Sequence, residues 1–331
     1  MHKTWRQHLL EATLAPLPSQ HSHPELNRFY TLLRDYPQRG GKQLRGLFVL
    51  LSCEAHGGAW QGALNVGAAV ELFQNWVLIH DDIEDGSEER RGQPALHQQV
   101  GMPVALNVGD ALHVYMWELL HDLPNDLPKA DILHTFTSMI HRTAEGQHLD
   151  LAWVTQNRFD ITEADYLGMV TLKSAYYTVT APLSLGALCA GETPSEHVET
   201  AGKALGVAFQ IRDDVLNLRP SEVYGKEFAG DLLEAKRTLI LAHLFTAATA
   251  DEVQELESRL SKARKDKTPE DVTRVLKLIE QYGSLDYAQS VAEAKANEGL
   301  ALLREAFAPL TNQALAQELT GLLETLVSRS A

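Results

Sequence analysis

Residues 66–85 read VGAAVELFQNWVLIHDDIED, and this stretch decides the fold. Its apolar side chains recur with helical spacing over most of its length, which predicts one long and largely buried helix. Three aspartates stand near its end, at Asp81, Asp82 and Asp85. Asp81 and Asp85 have i, i+4 spacing, so on a helix they share a face with Cβ atoms roughly 6 Å apart. Because a charged carboxylate is costly to bury without a partner, these side chains indicate a nearby cation.

A second acidic pair follows in a similar apolar setting. Residues 206–218 read GVAFQIRDDVLNL and carry Asp213 and Asp214. Asp213 and Asn217 have i, i+4 spacing, and Gln210 precedes Asp213 by one helical turn. The repeated pattern suggests two walls of one metal–diphosphate site. The plain alternative is a buried ion pair with the adjacent Arg212.

The first acidic motif fits magnesium chemistry. Mg²⁺ takes one or two carboxylates, keeps several waters and completes its shell with substrate phosphate oxygens. Arg90 and Arg91 follow Asp85 closely, and guanidinium groups bind phosphate with two parallel hydrogen bonds. Two alternatives stay open: the acidic helix end is exposed to water, or the arginines balance the neighbouring glutamates.

Composition excludes several classes of protein. The 331 residues are 44% hydrophobic and 22% charged, which is ordinary for a globular protein. A net charge of −15 argues against a general surface for nucleic acid or anionic lipid. The two cysteines, Cys53 and Cys189, lie in apolar surroundings, so a disulfide framework is not expected. The first residues lack the apolar core of a signal peptide, and no apolar run is long enough for a membrane span. We therefore expect a cytoplasmic location.

Helical periodicity continues through almost the whole chain, and the turn and alternation signals of strands are missing. This predicts an all-α fold of roughly ten or more helices. Helix starts are expected at Thr162, Thr193 and Thr268, each followed three residues later by an acidic residue. We expect a loosely attached N-terminal segment, 1–24, and a single all-helical domain, 25–331.

Seven sequence blocks together resemble the trans-isoprenyl diphosphate synthases, also called polyprenyl synthetases. The blocks are GGKQLR at 40–45, HDDIED at 80–85, RRGQPALH at 90–97, LNVGDAL at 106–112, EGQHLDL at 145–151, FQIRDD at 209–214 and DLLEAKRTL at 231–239. They occur in the order and spacing of that family. The resemblance implies an isoprenoid-synthase type helical bundle around a deep central cavity.

The resemblance also implies roles for individual residues. Three Mg²⁺ ions are expected with substrate bound. The implied metal ligands are Asp81, Asp82 and Asp85 for two ions, and Asp213, Asp214 and Asn217, supported by Gln210, for the third. The residues that resemble the grip on the allylic diphosphate are Arg90, Lys173, Lys226 and Lys236. Those that resemble the isopentenyl diphosphate pocket are Lys42, Arg45, Gln74 and Arg91.

The implied reaction is head-to-tail elongation. The allylic diphosphate ionises, the double bond of isopentenyl diphosphate attacks the cation, and a proton is lost. The departing diphosphate is stabilised by Mg²⁺ and basic side chains. Lys173 is expected to lie along the cation as well. Homodimerisation is implied by the resemblance alone.

Two residues depart from the family pattern. Asn217 stands where many members have an aspartate, which removes one negative charge. Ala235 stands where the family often has glycine before the lysine, and alanine disfavours a positive φ.

Product length depends in this family on what blocks the cavity below the first motif. Trp76 stands five residues before Asp81, where the floor often lies, and Val77 lies one turn below Asp81 on its face. A bulky floor favours a short product, geranylgeranyl diphosphate (C20), with farnesyl diphosphate (C15) as the alternative. The plain alternative for Trp76 is core packing.

Two other functions fit the sequence less well than elongation does. A terpene cyclase on the same fold needs no second diphosphate pocket, so Lys42, Arg45 and Arg91 argue against it. A non-catalytic partner subunit is expected to have lost metal ligands, and this chain keeps both acid pairs.

Overall fold

The computed structural model describes residues 2–219 and 228–328. Within these residues the α-helices are α1 (His2–Leu14), α2 (Pro24–Gln38), α3 (Leu44–Ala55), α4 (Trp60–Glu84), α5 (Leu96–Val100), α6 (Met102–His121), α7 (Lys129–Thr155), α8 (Glu163–Val170), α9 (Ala181–Cys189), α10 (Glu196–Asn217), α11 (Gly230–Leu233), α12 (Leu239–Ala247), α13 (Ala250–Leu260), α14 (Pro269–Gln281), α15 (Ser284–Phe307) and α16 (Gln313–Ser328). The all-α prediction is confirmed.

Four short elements complete the secondary structure of the described residues. A π-helical segment, Thr171–Thr180, follows α8, and a 3₁₀ turn, Arg264–Asp266, precedes α14. The strands β1 (Glu89–Arg90) and β2 (Gln93–Pro94) pair antiparallel in a small hairpin after α4. Across the part of the chain that the structure describes, none of the helices combines the length and hydrophobicity needed to cross a bilayer.

The chain divides into two compact units. The first comprises Met1–Ser138, Ala181–Glu199 and Glu305–Thr320. The second comprises Met139–Thr180, Thr200–Arg304 and Gly321–Ala331. The expectation of one domain over residues 25–331 stays a prediction.

Helix α4 is the centre of the first unit and packs against α1, α2, α3, α5, α6 and α9. Glycines allow the closest of these contacts. A Cβ on Gly46 of α3 would lie 2.9 Å from the carbonyl oxygen of Gly67 on α4 and 2.6 Å from Leu9 of α1. Leu9 is fully buried there, which stabilises the fold by about 2 kcal/mol. Residues 2–14 thus form a helix that packs through Leu9, and the separate segment expected for 1–24 stays a prediction.

Helix α10 and the π-helical segment pack closely in the second unit. A Cβ on Gly206 of α10 would lie 2.4 Å from the Cα of Ala175. On the other side of the segment, a Cβ on Gly146 of α7 would lie 2.2 Å from the backbone nitrogen of Lys173. The π-helical segment is therefore fixed between α7 and α10 by glycines.

Side chains at helix N-termini account for several boundaries. Thr162 and Thr268 each form a reciprocal capping box with the acidic residue three positions later, so α8 and α14 begin as predicted. The start predicted at Thr193 is displaced. Helix α10 begins at Glu196, and the Ser195 hydroxyl accepts from the Val198 N–H at 3.2 Å.

Candidate active site

The first acidic motif lies at the C-terminal end of α4. Asp81 and Asp82 occupy the last turn, and Asp85 follows the helix with its N–H donating to the Asp81 carbonyl at 2.9 Å. Negative side chains at a helix C-terminus oppose the helix dipole and lower stability. This placement is unfavourable unless cations compensate it.

Asp82 faces the interior. Its side chain is 0% exposed and accepts hydrogen bonds from the Tyr36 hydroxyl at 2.6 Å and from Arg90 Nε at 2.8 Å. Arg90 Nη2 donates to the same carboxylate. The Tyr36 hydroxyl in turn accepts from the Leu96 N–H at 3.1 Å. Burial and the negative charge of Asp82 raise the pKa of Tyr36, so the phenol stays protonated and keeps donating.

The side chain of Asp81 is partly exposed to solvent. Its exposed fraction is 19%, and Oδ2 lies 3.6 Å from Arg90 Nη2. Burial disfavours the charged form of Arg90, but Asp82 and Asp81 outweigh this effect and raise its pKa. Arg90 therefore remains a cation held beside the outward-facing aspartate.

Arg91 and the glycine-rich turn before α3 meet close to this cluster. Arg91 has φ 57° and donates from Nη1 to the Tyr36 carbonyl at 2.8 Å. Its guanidinium carbon lies 3.2 Å from the position that a Cβ on Gly41 would occupy. Lys42 belongs to the same turn, and Arg45 lies in the first turn of α3. The turn that carries Lys42 therefore lies next to Arg91. Arg45, in the first turn of α3, also lies close enough to affect the pKa of Arg91.

Gln74 and Trp76 continue along α4 away from the acidic end. Gln74 is buried, and its Oε1 has no hydrogen-bond partner among residues 2–219 and 228–328. Trp76 stacks on His113 of α6 with ring centroids 4.1 Å apart. His113 Nε2 accepts from Trp117 Nε1 at 2.8 Å, and burial lowers the pKa of His113. A neutral imidazole therefore lies between two indoles, in contact with both. Val77, next to Trp76, is half-buried.

The second acidic motif lies at the end of α10 and has a related arrangement. Asp214 is buried and accepts from the Tyr166 hydroxyl at 2.6 Å and from Gln210 Nε2 at 2.9 Å. Burial raises the pKa of Asp214, and these two hydrogen bonds oppose that effect. In each acid pair, the second aspartate is buried and bonded to a buried tyrosine.

Asn217 has a structural contact of its own. Its Oδ1 accepts from the backbone N–H of Asp231 at 3.1 Å, and its carbonyl accepts from the Ala229 N–H at 2.9 Å. These bonds tie the end of α10 to the start of α11. The metal role expected for Asn217 stays a prediction, and in this structure its amide oxygen holds the following turn.

Two of the lysines predicted to bind the allylic diphosphate, Lys173 and Lys236, contact carboxylates. Lys173, in the π-helical segment, donates to Asp150 Oδ2 at 2.6 Å. Lys236 Nζ lies 3.1 Å from Glu234 Oε2, and Arg264 Nη1 donates to the other oxygen of Glu234 at 3.0 Å. The predicted Lys226 lies outside the described residues.

The carboxylates present suit a hard divalent cation, since Mg²⁺ prefers oxygen ligands. Asp81 and Asp85 share one helix end, and Asp213 adjoins the buried Asp214. The oxygens of Asp82 and Asp214 are already bonded to protein donors, so in this arrangement they fit a supporting role better than a ligand role. Within the described ranges no three acidic, histidine or cysteine side chains converge on one point, so protein side chains alone do not form a complete coordination shell there.

Three participants were not predicted from the sequence: Tyr36, Tyr166 and Glu71. Tyr36 is 46 residues from Asp82 in the chain, and Tyr166 is 48 residues from Asp214. Helical periodicity does not predict contacts between residues so far apart. Glu71 was detectable. It is an acid inside an apolar helical run, so the argument applied to Asp81 applies to it equally.

Comparison with known proteins gives concordant matches. A family model described as Polyprenyl synthetase matches residues 27–279. A geranylgeranyl diphosphate synthase of Sulfolobus acidocaldarius is 35% identical over 260 residues, which cover 77% of this chain and 77% of that protein. A geranylfarnesyl diphosphate synthase of Natronomonas pharaonis is 30% identical over 344 residues, covering 98% of this chain and 96% of that protein. A solved polyprenyl synthase from Caulobacter crescentus, complexed with calcium and isoprenyl diphosphate, has a TM-score of 0.85 at 27% identity and covers 99% of this chain and 96% of that chain.

Proposed function

Because the chain belongs to the polyprenyl synthetase family, we propose that it is a Mg²⁺-dependent prenyltransferase that condenses isopentenyl diphosphate with an allylic diphosphate. The observation that carries this proposal is the arrangement at the end of α4. Asp82 is buried against Tyr36 and holds Arg90, which leaves Asp81 facing outward beside a fixed guanidinium group. A carboxylate for a cation and an arginine for a phosphate then stand side by side.

The metal ligands of the proposal are Asp81, Asp85 and Asp213, with three ions in the substrate complex. Bound Mg²⁺ would supply electrostatic stabilisation of the leaving diphosphate. Asp82 and Asp214 orient their neighbours through the tyrosine bonds already described. These assignments rest on the oxygen chemistry of the residues and on their different exposure.

The reaction needs no protein nucleophile. The allylic carbon–oxygen bond breaks and the electron pair leaves with diphosphate, whose charge Arg90, Lys173, Lys226 and Lys236 balance. The double bond of isopentenyl diphosphate then forms the new carbon–carbon bond, and the released diphosphate accepts the proton that is lost. Lys42, Arg45, Gln74 and Arg91 bind the five-carbon substrate. The Asp150 contact holds the ammonium group of Lys173 in one position.

The product of the proposal is geranylgeranyl diphosphate (C20), with farnesyl diphosphate (C15) as the alternative. Trp76 supports a short product, because it forms a packed layer with His113. The names of the relatives include both geranylgeranyl and geranylfarnesyl diphosphate synthases. Homodimer formation and a cytoplasmic location belong to the same proposal. The free, buried thiols of Cys53 and Cys189 fit a reducing compartment.

The decisive experiment is an elongation assay. Purified protein is incubated with isopentenyl diphosphate, Mg²⁺ and each of the C5, C10 and C15 allylic diphosphates, and the products are sized. We expect elongation that chelation abolishes. Asp81→Asn should lower kcat/KM by at least about 100-fold, as expected when a group that stabilises transition-state charge is lost. Asp251→Asn, a surface change in α13, serves as the matched control. Absence of elongation with every primer would contradict the proposal.

A further inference from the structure

Glu71 is a buried acid that the proposed reaction does not use. It lies in the middle of α4, three residues before Gln74, and only 6% of its surface is exposed. A buried carboxylate is strongly unfavourable unless charges and hydrogen bonds compensate it. The surroundings of Glu71 therefore indicate what its charge is for.

The first partner of Glu71 is the N-terminus of α3. The Gly46 N–H donates to Glu71 Oε1 at 2.8 Å. Gly46 is the third residue of α3, whose preceding residue, Gln43, has φ 45° and makes no side-chain cap. Glu71 therefore supplies from α4 the cap that α3 lacks in its own sequence. This bond holds the first turn of α3 at the point where residues 40–43 lead into the helix.

The second set of partners is cationic. Burial raises the pKa of Glu71, while the Gly46 N–H and the charges of Arg45 and Arg91 oppose the rise. Burial also lowers the pKa of Arg91, against the attraction of Glu71. The positive charges of three other arginines, Arg90, Arg45 and Arg39, also lower the pKa of Arg91. Arg90 is paired with Asp82 and Arg39 with Asp35, so Arg45 and Arg91 are the cations that Glu71 itself attracts.

A narrow cavity lies at the same place. Its lining includes Gly40, Gly41, Gln43, Glu71 and Arg91. Asn75, which also lines it, and Gln74 beside it on α4 are each more than nine-tenths buried. Within the described residues the side-chain oxygens of both amides have no hydrogen-bond partner. Buried polar atoms without partners are rare and indicate a missing ligand or water.

We propose that Glu71 is a positioning residue that aims Arg45 and Arg91 at the diphosphate of isopentenyl diphosphate and fixes the turn carrying Lys42. This inference rests on the proposed function. A positioning role and a purely structural capping role have different consequences. Loss of a cap alone would weaken the binding of both substrates alike. Loss of positioning weakens the binding of isopentenyl diphosphate selectively.

Glu71→Gln is the sharpest test. The amide keeps an oxygen for the Gly46 N–H, but it removes the charge and turns a donor toward the guanidinium groups. Binding of isopentenyl diphosphate is measured by calorimetry without an allylic substrate, so no turnover is needed. We expect Kd to rise on the order of tenfold, because a charged hydrogen-bond partner is lost. The KM for the allylic diphosphate and kcat at saturating isopentenyl diphosphate should stay within about twofold.

Two more variants complete the design. Glu71→Asp keeps the charge with a shorter reach, so a folded protein with selectively weaker isopentenyl diphosphate binding is expected even where Glu71→Gln does not fold. Glu255→Gln removes a carboxylate that accepts from Arg274 and Arg259, far along the chain, and should change neither substrate. Unchanged or tighter binding in the Glu71 variants, or equal weakening for both substrates, overturns the inference.

The outcome also separates this inference from the proposed function. A wild-type protein that binds isopentenyl diphosphate but elongates no primer contradicts the function, while a selective loss in Glu71→Gln still upholds the positioning role. A wild-type protein that binds neither isopentenyl diphosphate nor inorganic diphosphate overturns both.

Discussion

Tyr36 has one hydroxyl group that serves two buried partners. It donates to Asp82 and accepts from the Leu96 N–H, and the side chain itself is fully buried. The hydroxyl therefore links the acidic end of α4 to the start of α5. Removing it leaves both a buried carboxylate oxygen and a buried N–H short of a partner.

We expect Tyr36→Phe to lower the free energy of unfolding by about 1–3 kcal/mol, the usual cost of a buried polar group left unsatisfied. Chemical denaturation measures the change, provided that the wild type and the variant have the same dependence on denaturant concentration. Tyr30→Phe is the control on the same helix, because Tyr30 is half-buried and contacts His21 and Phe29 through its ring. A loss no larger than in the control would contradict the bridging role.

Ala235 stands where the family often has glycine, and its backbone keeps a positive φ. The sequence predicted that alanine in place of glycine could disturb the loop before Lys236. The structure keeps a glycine-like conformation there, with φ 57° at Ala235 and φ 56° at Ala229. For an L-residue this region costs about 1–2 kcal/mol, so the short helix α11 has strained backbone on both sides. The shape of the loop could not be predicted, because propensity alone argues against it.

At the scale of elements, Trp76 belongs to a layer between α4 and α6. It stacks on His113, which accepts a hydrogen bond from Trp117. Two helices therefore hold the indole in place, and its removal leaves a gap that neighbouring side chains cannot readily fill.

We expect Trp76→Ala to lengthen the prenyl product by at least one five-carbon unit, because the space below the acidic motif opens. Product sizing by chromatography measures this. Trp60→Ala is the matched control: it makes the same change at the first residue of α4, where the indole contacts Trp5 and His8. An unchanged product distribution in Trp76→Ala would count against the floor role.

Local signals predicted elements well where they act within a few residues. The capping boxes at Thr162 and Thr268 were predictable because both partners lie within one turn. Pro37 lies in the last turn of α2 and removes one i→i−4 hydrogen bond there. The π-helical segment was not predictable, since it depends on the glycine contacts of α7 and α10 described above.

At the scale of the whole molecule, the first unit exposes apolar side chains on α6. Met102 is 53% exposed and Val114 is 58% exposed, with Val104 and Leu106 on the same helix. A chain with a net charge of −15 repels its own copies, so association requires an apolar contact of this kind. The prediction of a homodimer therefore leads to a specific surface.

We expect the protein to sediment as a dimer and Val114→Glu to shift it toward monomer, because the substitution buries a charge in the contact. Sedimentation velocity measures the mass. Leu26→Glu places the same charge on an exposed leucine of α2 and should leave the mass unchanged. A monomeric wild-type protein would rule out the dimer.

Both acid pairs were found from the sequence because each repeats a short pattern inside an apolar run. The sequence did not predict which aspartate of each pair is bonded to a tyrosine. That contact depends on Tyr36 and Tyr166, which lie 46 and 48 residues away from their aspartates in the chain. Spacing on one helix predicts which carboxylates share a face, but it does not predict which of them a distant side chain will reach.

The π-helical segment has a consequence for how homologous sequences should be aligned. A π turn accommodates one residue more than an α turn, so the loss of one residue within Thr171–Thr180 is absorbed when the wide turn reverts to α-helix. The residues that follow the segment then keep their facing. Inside one of the flanking α-helices, the same deletion would rotate all following positions by about 100°. A one-residue gap at this point of an alignment therefore marks a homologue without the wide turn, and the contact of Lys173 with Asp150 is the feature to check there.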